Sequence, residues 1–319
     1  MNPKGAAPTT ESSRDSQSFS NVRRTRIAGV GLGIPSHVLT NEELSKVVDT
    51  SDEWIRTRTG IAERRVVDRT KGETNSSLAV AASKQALMDA GVDAQEIDLV
   101  ICCTATPDTW MPITAARIAD GLGIKKCASF DLNAACSGFL TGLTVADSMI
   151  RGGSFHRALV VGSDVFSSII DWSDRKTCVL FGDGAGAAVV AALENSDPLK
   201  DSMILESQLF TMPDREEYLA VKNGGSRDVG GAGYGIARVE NSEGQPLQPR
   251  PVISMNGSEV FKAGSRGMAE AAQVVMQKAN VKASDIRWLV PHQANLRIIE
   301  MVAKLCDFPI DKVYVNVAP

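Results

Sequence analysis

Histidine is scarce in this sequence, which has only His37, His156 and His292 among its 319 residues. A catalytic imidazole, if one is used, is therefore one of three candidates. The net charge of −4 lacks the basic excess that a nucleic-acid-binding surface requires, so that class of protein is excluded. The sequence also lacks an apolar run of roughly 18 residues, the length that a membrane-spanning helix needs.

The cysteines lack the spacing of a disulfide framework or of a metal site. Six are present, with no CxxC pair and no cluster with histidine, and several stand inside apolar runs. This usage is typical of free thiols in a reducing compartment. The sequence therefore predicts a cytoplasmic protein without a bound metal.

Apolar strand-like runs alternate with helical patterns along most of the chain, which indicates an α/β fold. Residues 1–24 are polar and rich in serine and threonine, and they predict a flexible N-terminal extension. A strand is expected at 26–32, a small-residue helix at 76–90, and a strand buried on both faces at 99–106. Residues 194–250 are polar and glycine-rich, and they predict a surface excursion.

The stretch Asn133–Phe139 (NAACSGF) follows a predicted strand and precedes an apolar helical pattern. It predicts a tight turn that places Cys136 on the first turn of a helix. The positive end of the helix dipole favours a thiolate there, and cysteines in such places often have a lowered pKa. A nucleophile is one interpretation, and a buried structural cysteine is the other.

A glycine cluster at 182–187 formally matches the dinucleotide-binding pattern. That pattern requires a helix to follow and an acidic residue about 20 positions later. Here the following run is short and β-like. The glycines are therefore interpreted as sites where strands and helices approach closely.

The chain repeats itself at an offset of 189 residues. Residues 86–100 align with 275–289, and each copy reads as a helix, a short turn and a buried strand. Duplication is favoured over chance similarity because the loop length and turn residues match. The alignment divides the chain into an N-terminal half at 25–193 and a C-terminal half at 194–319. The second copy is shorter than the first, and we expect about 50 to 60 residues of it to be absent.

His292 aligns with Cys103, which places it at the carboxyl end of a predicted central strand. Open α/β sheets carry their sites at such strand ends. A histidine between a strand and a helix, with an asparagine nearby, suits hydrogen bonding to a reacting carbonyl. A structural capping histidine is the alternative interpretation.

Five stretches together, at 50–64, 133–139, 177–187, 255–262 and 288–299, resemble the β-ketoacyl-acyl-carrier-protein synthase III family of condensing enzymes. The resemblance runs from about residue 25 to 317 and implies a thiolase-like, five-layered αβαβα duplication, here with the second half incomplete. It also implies a homodimer that uses a coenzyme A thioester as substrate and holds no tightly bound cofactor.

The same resemblance implies a reaction and a set of site residues. Cys136 matches the nucleophile that accepts an acyl group from acyl-CoA, typically acetyl-CoA. His292 matches the imidazole that binds the thioester carbonyl of malonyl-acyl-carrier protein during decarboxylation and condensation. Residues that match coenzyme A contacts are Trp54, Arg58, Arg175, Met255, Gly257, Phe261 and Asn295. Residues that match carrier-protein contacts are Lys262, Arg297 and Lys304.

The chain departs from the family pattern at three points. The family's third catalytic residue, an asparagine in a Gly-Asn-Thr-Ser stretch, is absent from the sequence. Ala62 replaces a basic residue that contacts coenzyme A. Met111 stands where some members carry a phenylalanine that gates the partner's acyl pocket, so a longer primer is expected to fit.

Two alternatives stay open at this point. One is a same-fold acyltransferase of secondary metabolism, and the other is a non-catalytic remnant that binds coenzyme A or a carrier protein. The presence of both Cys136 and His292 favours the condensing enzyme.

Overall fold

A computed structural model describes residues 23–193, 202–221 and 251–317 of the chain. Residues 1–22 of the predicted extension at 1–24 and much of the excursion at 194–250 lie outside these residues, whereas Arg24 already belongs to the first strand. None of the described helices is long and apolar enough to cross a membrane.

The first half is built on one five-stranded sheet in the order β1-β7-β6-β4-β5. Strands β4, β5 and β6 run parallel, whereas β7 is antiparallel to both β1 and β6. Two short pairs, β2 with β3 and β8 with β9, complete the strands. Their bounds are β1 Arg24–Gly33, β2 His37–Thr40, β3 Glu63–Val66, β4 Leu99–Cys103, β5 Ala128–Leu132, β6 Arg157–Val165, β7 Asp183–Leu193, β8 Leu219–Val221 and β9 Ile253–Met255.

Seven α-helices lie among the described residues. Their bounds are α1 Asn41–Ser45, α2 Asp52–Thr59, α3 Asn75–Ala90, α4 Thr114–Gly121, α5 Gly138–Arg151, α6 Gly257–Ala279 and α7 Leu296–Leu305. A capping box begins α1, where the Thr40 and Glu43 side chains accept hydrogen bonds from each other's backbone N–H groups.

Helices cover both faces of the sheet, as the α/β pattern predicted. Alternate residues of β4 point to opposite faces: Val100 and Cys102 pack with α3 and α4, while Leu99, Ile101 and Cys103 pack with α5. All five are buried. A strand covered on both sides needs an unbroken apolar run, which is why the sequence identified it.

The predicted strand at 99–106 ends early, at Cys103. Thr104 still donates its backbone N–H to the Leu132 carbonyl. Beyond it, the hydroxyls of Thr104 and Thr106 turn toward the Asp164 carboxylate. Side-chain hydrogen bonds therefore replace the ladder and end the strand.

The internal repeat is present as matching hydrogen bonds. Helices α3 and α6 both end in a left-handed residue, Gly91 and Asn280 respectively. The following 3₁₀ turns begin with equivalent bonds, from Asp93 N–H to Glu96 and from Lys282 N–H to Asp285. Equivalent bonds at the same offset support duplication over chance similarity.

The second copy differs in its strand. Where β4 has a full strand, its counterpart has a single parallel bridge between Leu289 and Val313. Trp288 is 51% exposed, although the sequence predicted a buried strand there. Among the described residues this segment has a neighbour on one side only, whereas β4 pairs on both sides. Only the Leu289–Val313 pair meets the ladder pattern, so the segment forms an isolated bridge rather than a strand.

The glycine cluster at 182–187 forms the start of β7 and pairs with β1 and β6. The segment is therefore a strand rather than a phosphate-binding loop. Close approach is found at Gly182, where an added Cβ would lie 2.9 Å from the Arg65 carbonyl oxygen, but not at Gly184 or Gly186, where the nearest atoms lie 3.9 and 4.0 Å away.

Helix α5 lies close to β4 and β6 because Gly142 faces them. A Cβ atom added at Gly142 would lie 2.5 Å from the Cys103 Sγ and 2.9 Å from a Val160 methyl carbon. Gly138, one turn earlier, is separated from the Cys103 Cβ by only 3.3 Å on the same construction. The two glycines thus determine how close the start of α5, which follows Cys136, lies to the sheet.

We predict that Gly142→Ala lowers the free energy of unfolding by about 1–3 kcal/mol, because the added methyl overpacks a rigid interface. Urea titration followed by circular dichroism measures this. Gly264→Ala on α6 is the matched control, since a Cβ there meets nothing within 4 Å. It should stabilise the helix by about 0.5–1 kcal/mol. A Gly142→Ala variant as stable as the parent would contradict the packing argument.

Candidate active site

Cys136 lies just after the carboxyl end of β5, on a separate 3₁₀ turn formed by Ala135–Ser137. Helix α5 begins at Gly138, so the prediction that Cys136 occupies the helix's first turn is wrong by one short turn. Ala135 adopts a left-handed conformation with φ of 44°. That conformation costs an ordinary residue about 1–2 kcal/mol. The Asn133 side chain supports it by accepting a hydrogen bond from the Ala135 N–H at 3.1 Å.

The surroundings of Cys136 act against thiolate formation. The residue is accessible to solvent, yet the atoms crowded around its sulfur desolvate it. Desolvation, followed by the charge of Asp164, raises the pKa of the Cys136 thiol above its ordinary value. The helix-dipole expectation of a lowered pKa is therefore opposed by two local effects.

Asp164, at the end of β6, is a site residue that the sequence analysis missed. Its Oδ1 atom accepts hydrogen bonds from the Ala105 N–H at 2.8 Å and from the Thr106 and Thr104 hydroxyls at 2.8 and 3.1 Å. Desolvation raises the pKa of Asp164, and these bonds partly offset the effect. An acidic residue at the carboxyl end of a parallel strand was the available signal.

His292 lies in an irregular segment between the Leu289 bridge and helix α7. Desolvation lowers the pKa of its imidazole, so the neutral form is favoured at pH 7. Asn295 caps α7 by accepting a hydrogen bond from the Ile298 N–H at 3.0 Å. A neutral imidazole keeps one N–H to donate, which is the form that a hydrogen bond to a carbonyl requires.

Trp54 on α2 carries two cation–π contacts. The Arg58 guanidinium lies 4.4 Å from the centre of the indole ring, and that of Arg175 lies 5.1 Å from it. Arg175 also donates to the Asp49 backbone carbonyl at 2.9 Å. The structure therefore brings together three residues that the sequence analysis placed in one coenzyme A site.

Two helices from different halves of the chain are joined at this site. Arg297 on α7 donates to the Thr57 carbonyl on α2 at 3.1 Å. Arg297 was predicted to contact a carrier protein, and here its guanidinium contacts the chain itself. Lys262 similarly forms an ion pair with Glu259 at 2.8 Å, while Lys304 is exposed on α7.

The remaining predicted residues lie at the start of α6 and near α4. Met255 ends β9 and is half-buried, Gly257 begins α6, and Phe261 packs against the core of the second half. Met111 is 85% exposed, beside an equally open Trp110.

No hydrogen bond or ion pair within the described residues connects Cys136 to His292. The Asp164 charge acts on the Cys136 thiol, and Arg297 on α7 contacts α2, the helix that carries Trp54 and Arg58. The cooperation of Cys136 with His292 stays a prediction.

Comparisons with known proteins identify the family. Residues 130–211 match the family model for 3-oxoacyl-[acyl-carrier-protein] synthase III, and residues 276–319 match the model for its C-terminal part. The β-ketoacyl-[acyl-carrier-protein] synthase III of Roseiflexus castenholzii is 45% identical over 91% of this chain and 82% of its own length. Its counterpart from Xanthomonas campestris is 44% identical, covering 92% and 83%.

Solved structures give the same result. The crystal structure of 3-oxoacyl-[acyl-carrier-protein] synthase III from Aquifex aeolicus superposes with a TM-score of 0.78 at 40% identity, covering 92% of this chain and 84% of that one. The priming β-ketosynthase of the R1128 polyketide pathway superposes with a TM-score of 0.80 at 33% identity, covering 95% and 84%. The thiolase-like α/β fold is therefore confirmed, and the chain belongs to the β-ketoacyl-acyl-carrier-protein synthase III family.

Proposed function

We propose that this chain is an acyltransferase that works as a β-ketoacyl-acyl-carrier-protein synthase III, with Cys136 as its nucleophile. The observation that carries the proposal is an accessible thiol on a strained turn at the carboxyl edge of the sheet, in a chain of this family. Strain of this kind is concentrated at functional sites.

The first half-reaction transfers an acyl group from acyl-CoA to Cys136. The Cys136 thiol gives up its proton and its sulfur attacks the thioester carbonyl. A new carbon–sulfur bond forms, the bond to the coenzyme A sulfur breaks, and coenzyme A leaves as a thiolate that takes up the released proton. A thiolate is both a nucleophile and a leaving group, so one atom serves both half-reactions.

The second half-reaction is a decarboxylative condensation with malonyl-acyl-carrier protein. Loss of carbon dioxide leaves an enolate, whose carbon attacks the acyl-Cys136 thioester and expels the cysteine sulfur. The product is a 3-oxoacyl-carrier protein. His292 donates a hydrogen bond to the developing enolate oxygen, and the lowered pKa of its imidazole supports the neutral donor form.

Trp54, Arg58 and Arg175 are proposed to hold the nucleotide end of coenzyme A. An adenine ring that stacks on the indole replaces one of the two guanidinium contacts. The displaced guanidinium then faces the phosphates, for which arginine geometry is well suited. Met255, Gly257, Phe261 and Asn295 are proposed to line the pantetheine path.

Lys262, Arg297 and Lys304 are proposed to steer the acidic carrier protein toward the site. Lys304 is the strongest of these candidates, because Lys262 is already paired with Glu259 and Arg297 with a backbone carbonyl. We place the protein in the cytoplasm, which agrees with six free thiols.

A second copy of the chain is the proposed partner at β5. That strand ends the sheet order, and it pairs only with β4 among the described residues. Trp110 and Met111, just before α4, and Leu140, on α5, are exposed apolar side chains, and α4 packs against β5. An open strand edge beside exposed apolar groups is typical of an interface between subunits.

A secondary-metabolism condensing enzyme of the same family is the second candidate. The likeness to a priming β-ketosynthase of a polyketide pathway favours it.

We predict that incubation with acetyl-CoA adds one acetyl group to Cys136, measured by mass spectrometry, and that Cys136→Ala abolishes the adduct. His292→Ala should retain acetylation but slow malonyl decarboxylation about 100-fold, since it removes a donor to the enolate oxygen. An adduct on Cys127 instead, or none in either variant, would contradict the assigned nucleophile.

We predict that Asp164→Asn shifts alkylation of Cys136 by iodoacetamide to lower pH. Removing the carboxylate charge lowers the pKa of the thiol, while the amide oxygen can still accept the Ala105 and threonine bonds. Residue-resolved mass spectrometry gives the rate at each pH. Asp98→Asn is the control, because the Asp98 charge acts on the pKa of Cys127. An unchanged Cys136 profile would contradict the role of Asp164.

We predict that Met111→Phe lowers the rate with octanoyl-CoA relative to acetyl-CoA by about tenfold, because a rigid ring narrows the acyl pocket. Competition assays with primers of two to eight carbons measure the ratio. Met88→Phe, at another exposed methionine, is the control. A parent protein strictly selective for acetyl-CoA would contradict the assignment of Met111 as the gate.

A further inference from the structure

We propose that Gln293 is a positioning residue, whose carboxamide fixes the segment that carries His292. The inference rests on the proposed function for its catalytic consequence. Whether Gln293 holds His292 in place can be tested without measuring activity.

The Gln293 side chain is held by hydrogen bonds to backbone groups. Its Nε2 atom donates to the Pro291 carbonyl at 3.0 Å and to the Tyr314 carbonyl at 3.0 Å. Its Oε1 atom accepts from the Asn316 N–H at 2.9 Å. Both amide protons and the oxygen are therefore used, and the side chain has one orientation that satisfies all three partners.

The segment around His292 has no regular secondary structure of its own, so side-chain hydrogen bonds are needed to hold it in place. Residues 290–295 form neither helix nor strand. On one side the chain is held by the bridge at Leu289, which exchanges backbone hydrogen bonds with Lys312 and Tyr314. On the other side it is held by the Asn295 cap of α7. Gln293 adds an attachment between these two points, next to His292.

Only a carboxamide of this length provides all three bonds. A glutamate would keep the acceptor for Asn316 but would direct a carboxylate oxygen at two carbonyl oxygens. An asparagine is one methylene shorter and cannot span to Tyr314 while it also bonds to Pro291. A leucine keeps the size and removes the polar contacts, leaving the backbone groups without this partner.

The consequence for His292 follows from its desolvation. Desolvation lowers the pKa of its imidazole, and the Gln293 hydrogen bonds hold the adjacent backbone against Tyr314 and Asn316. Releasing the segment admits water and brings the pKa back up toward its ordinary value. It also lets the imidazole leave the position from which it donates, and misplacement of a catalytic group by about 1 Å can cost 100-fold in rate.

The experiment compares the parent chain with Gln293→Leu and Gln293→Glu. Gln95→Leu is the matched control, because the Gln95 amide likewise donates to a backbone carbonyl, of Gly123, and accepts from the Lys125 N–H. With only three histidines, nuclear magnetic resonance of ¹⁵N-labelled imidazoles resolves each one, and the variants His37→Gln and His156→Gln assign them.

We expect the pKa of His292 to rise in Gln293→Leu and to stay at the parent value in Gln95→Leu. We expect malonyl decarboxylation to fall about 10- to 100-fold in both Gln293 variants, while acetylation of Cys136 stays within about twofold of the parent. This separation of the two half-reactions distinguishes positioning from general damage to the fold.

An unchanged His292 titration in Gln293→Leu overturns the inference, as does a parallel loss of acetylation and decarboxylation. If the parent chain itself neither acetylates nor decarboxylates, the proposed function fails. The titration still decides whether Gln293 holds His292, and Gln293→Asn, which adds no charge beside the imidazole, decides it should the leucine variant not fold.

Discussion

Close approach of helix to sheet is the constraint on which the site depends. Gly138 and Gly142 allow α5 to lie against Cys103 and Val160 at distances that leave no room for a Cβ at Gly142. On the other face, Gly29, Gly31 and Gly33 of β1 lie against the backbone of α3, where added Cβ atoms would come within 2.1–2.5 Å. The β1–α3 contact sets backbone against backbone, and the α5 contact sets the helix backbone against side chains of β4 and β6. The turn that bears Cys136 therefore takes its position from the sheet.

The pKa of the Cys136 thiol is determined by opposing local effects rather than by the helix dipole alone. Burial and the Asp164 carboxylate raise the pKa of Cys136, while the short turn places the thiol near a helix N-terminus. Burial also lowers the pKa of His292, which keeps that group neutral. Two groups thus stay uncharged at rest. Such a site is suited to charge that develops only when substrate is bound.

Much of the fold could be predicted from the sequence where a local rule decides the outcome. The buried run of β4, the Thr40 capping box and the left-handed residue at Gly91 each follow from residue type and spacing. What could not be predicted depends on contacts distant in sequence. Asp164 ends β4 early from 60 positions away, and the strand at Leu289 shrinks to one bridge because pairing depends on its neighbours.

The same limit applied to the site. The surrounding sequence identifies Cys136, His292 and Trp54 as site residues. In the structure the guanidinium groups of Arg58 and Arg175 lie over the Trp54 indole. Gln293 lies inside a motif of the family, but the sequence assigns it no role because its partners at Tyr314 and Asn316 lie more than 20 positions away.

The position of β7 between β1 and β6 has a consequence for folding. Since Arg24 pairs with Leu193, β1 cannot enter the sheet until the ribosome has released nearly the whole first half, so its backbone N–H and C=O groups lack their sheet partners until late in synthesis.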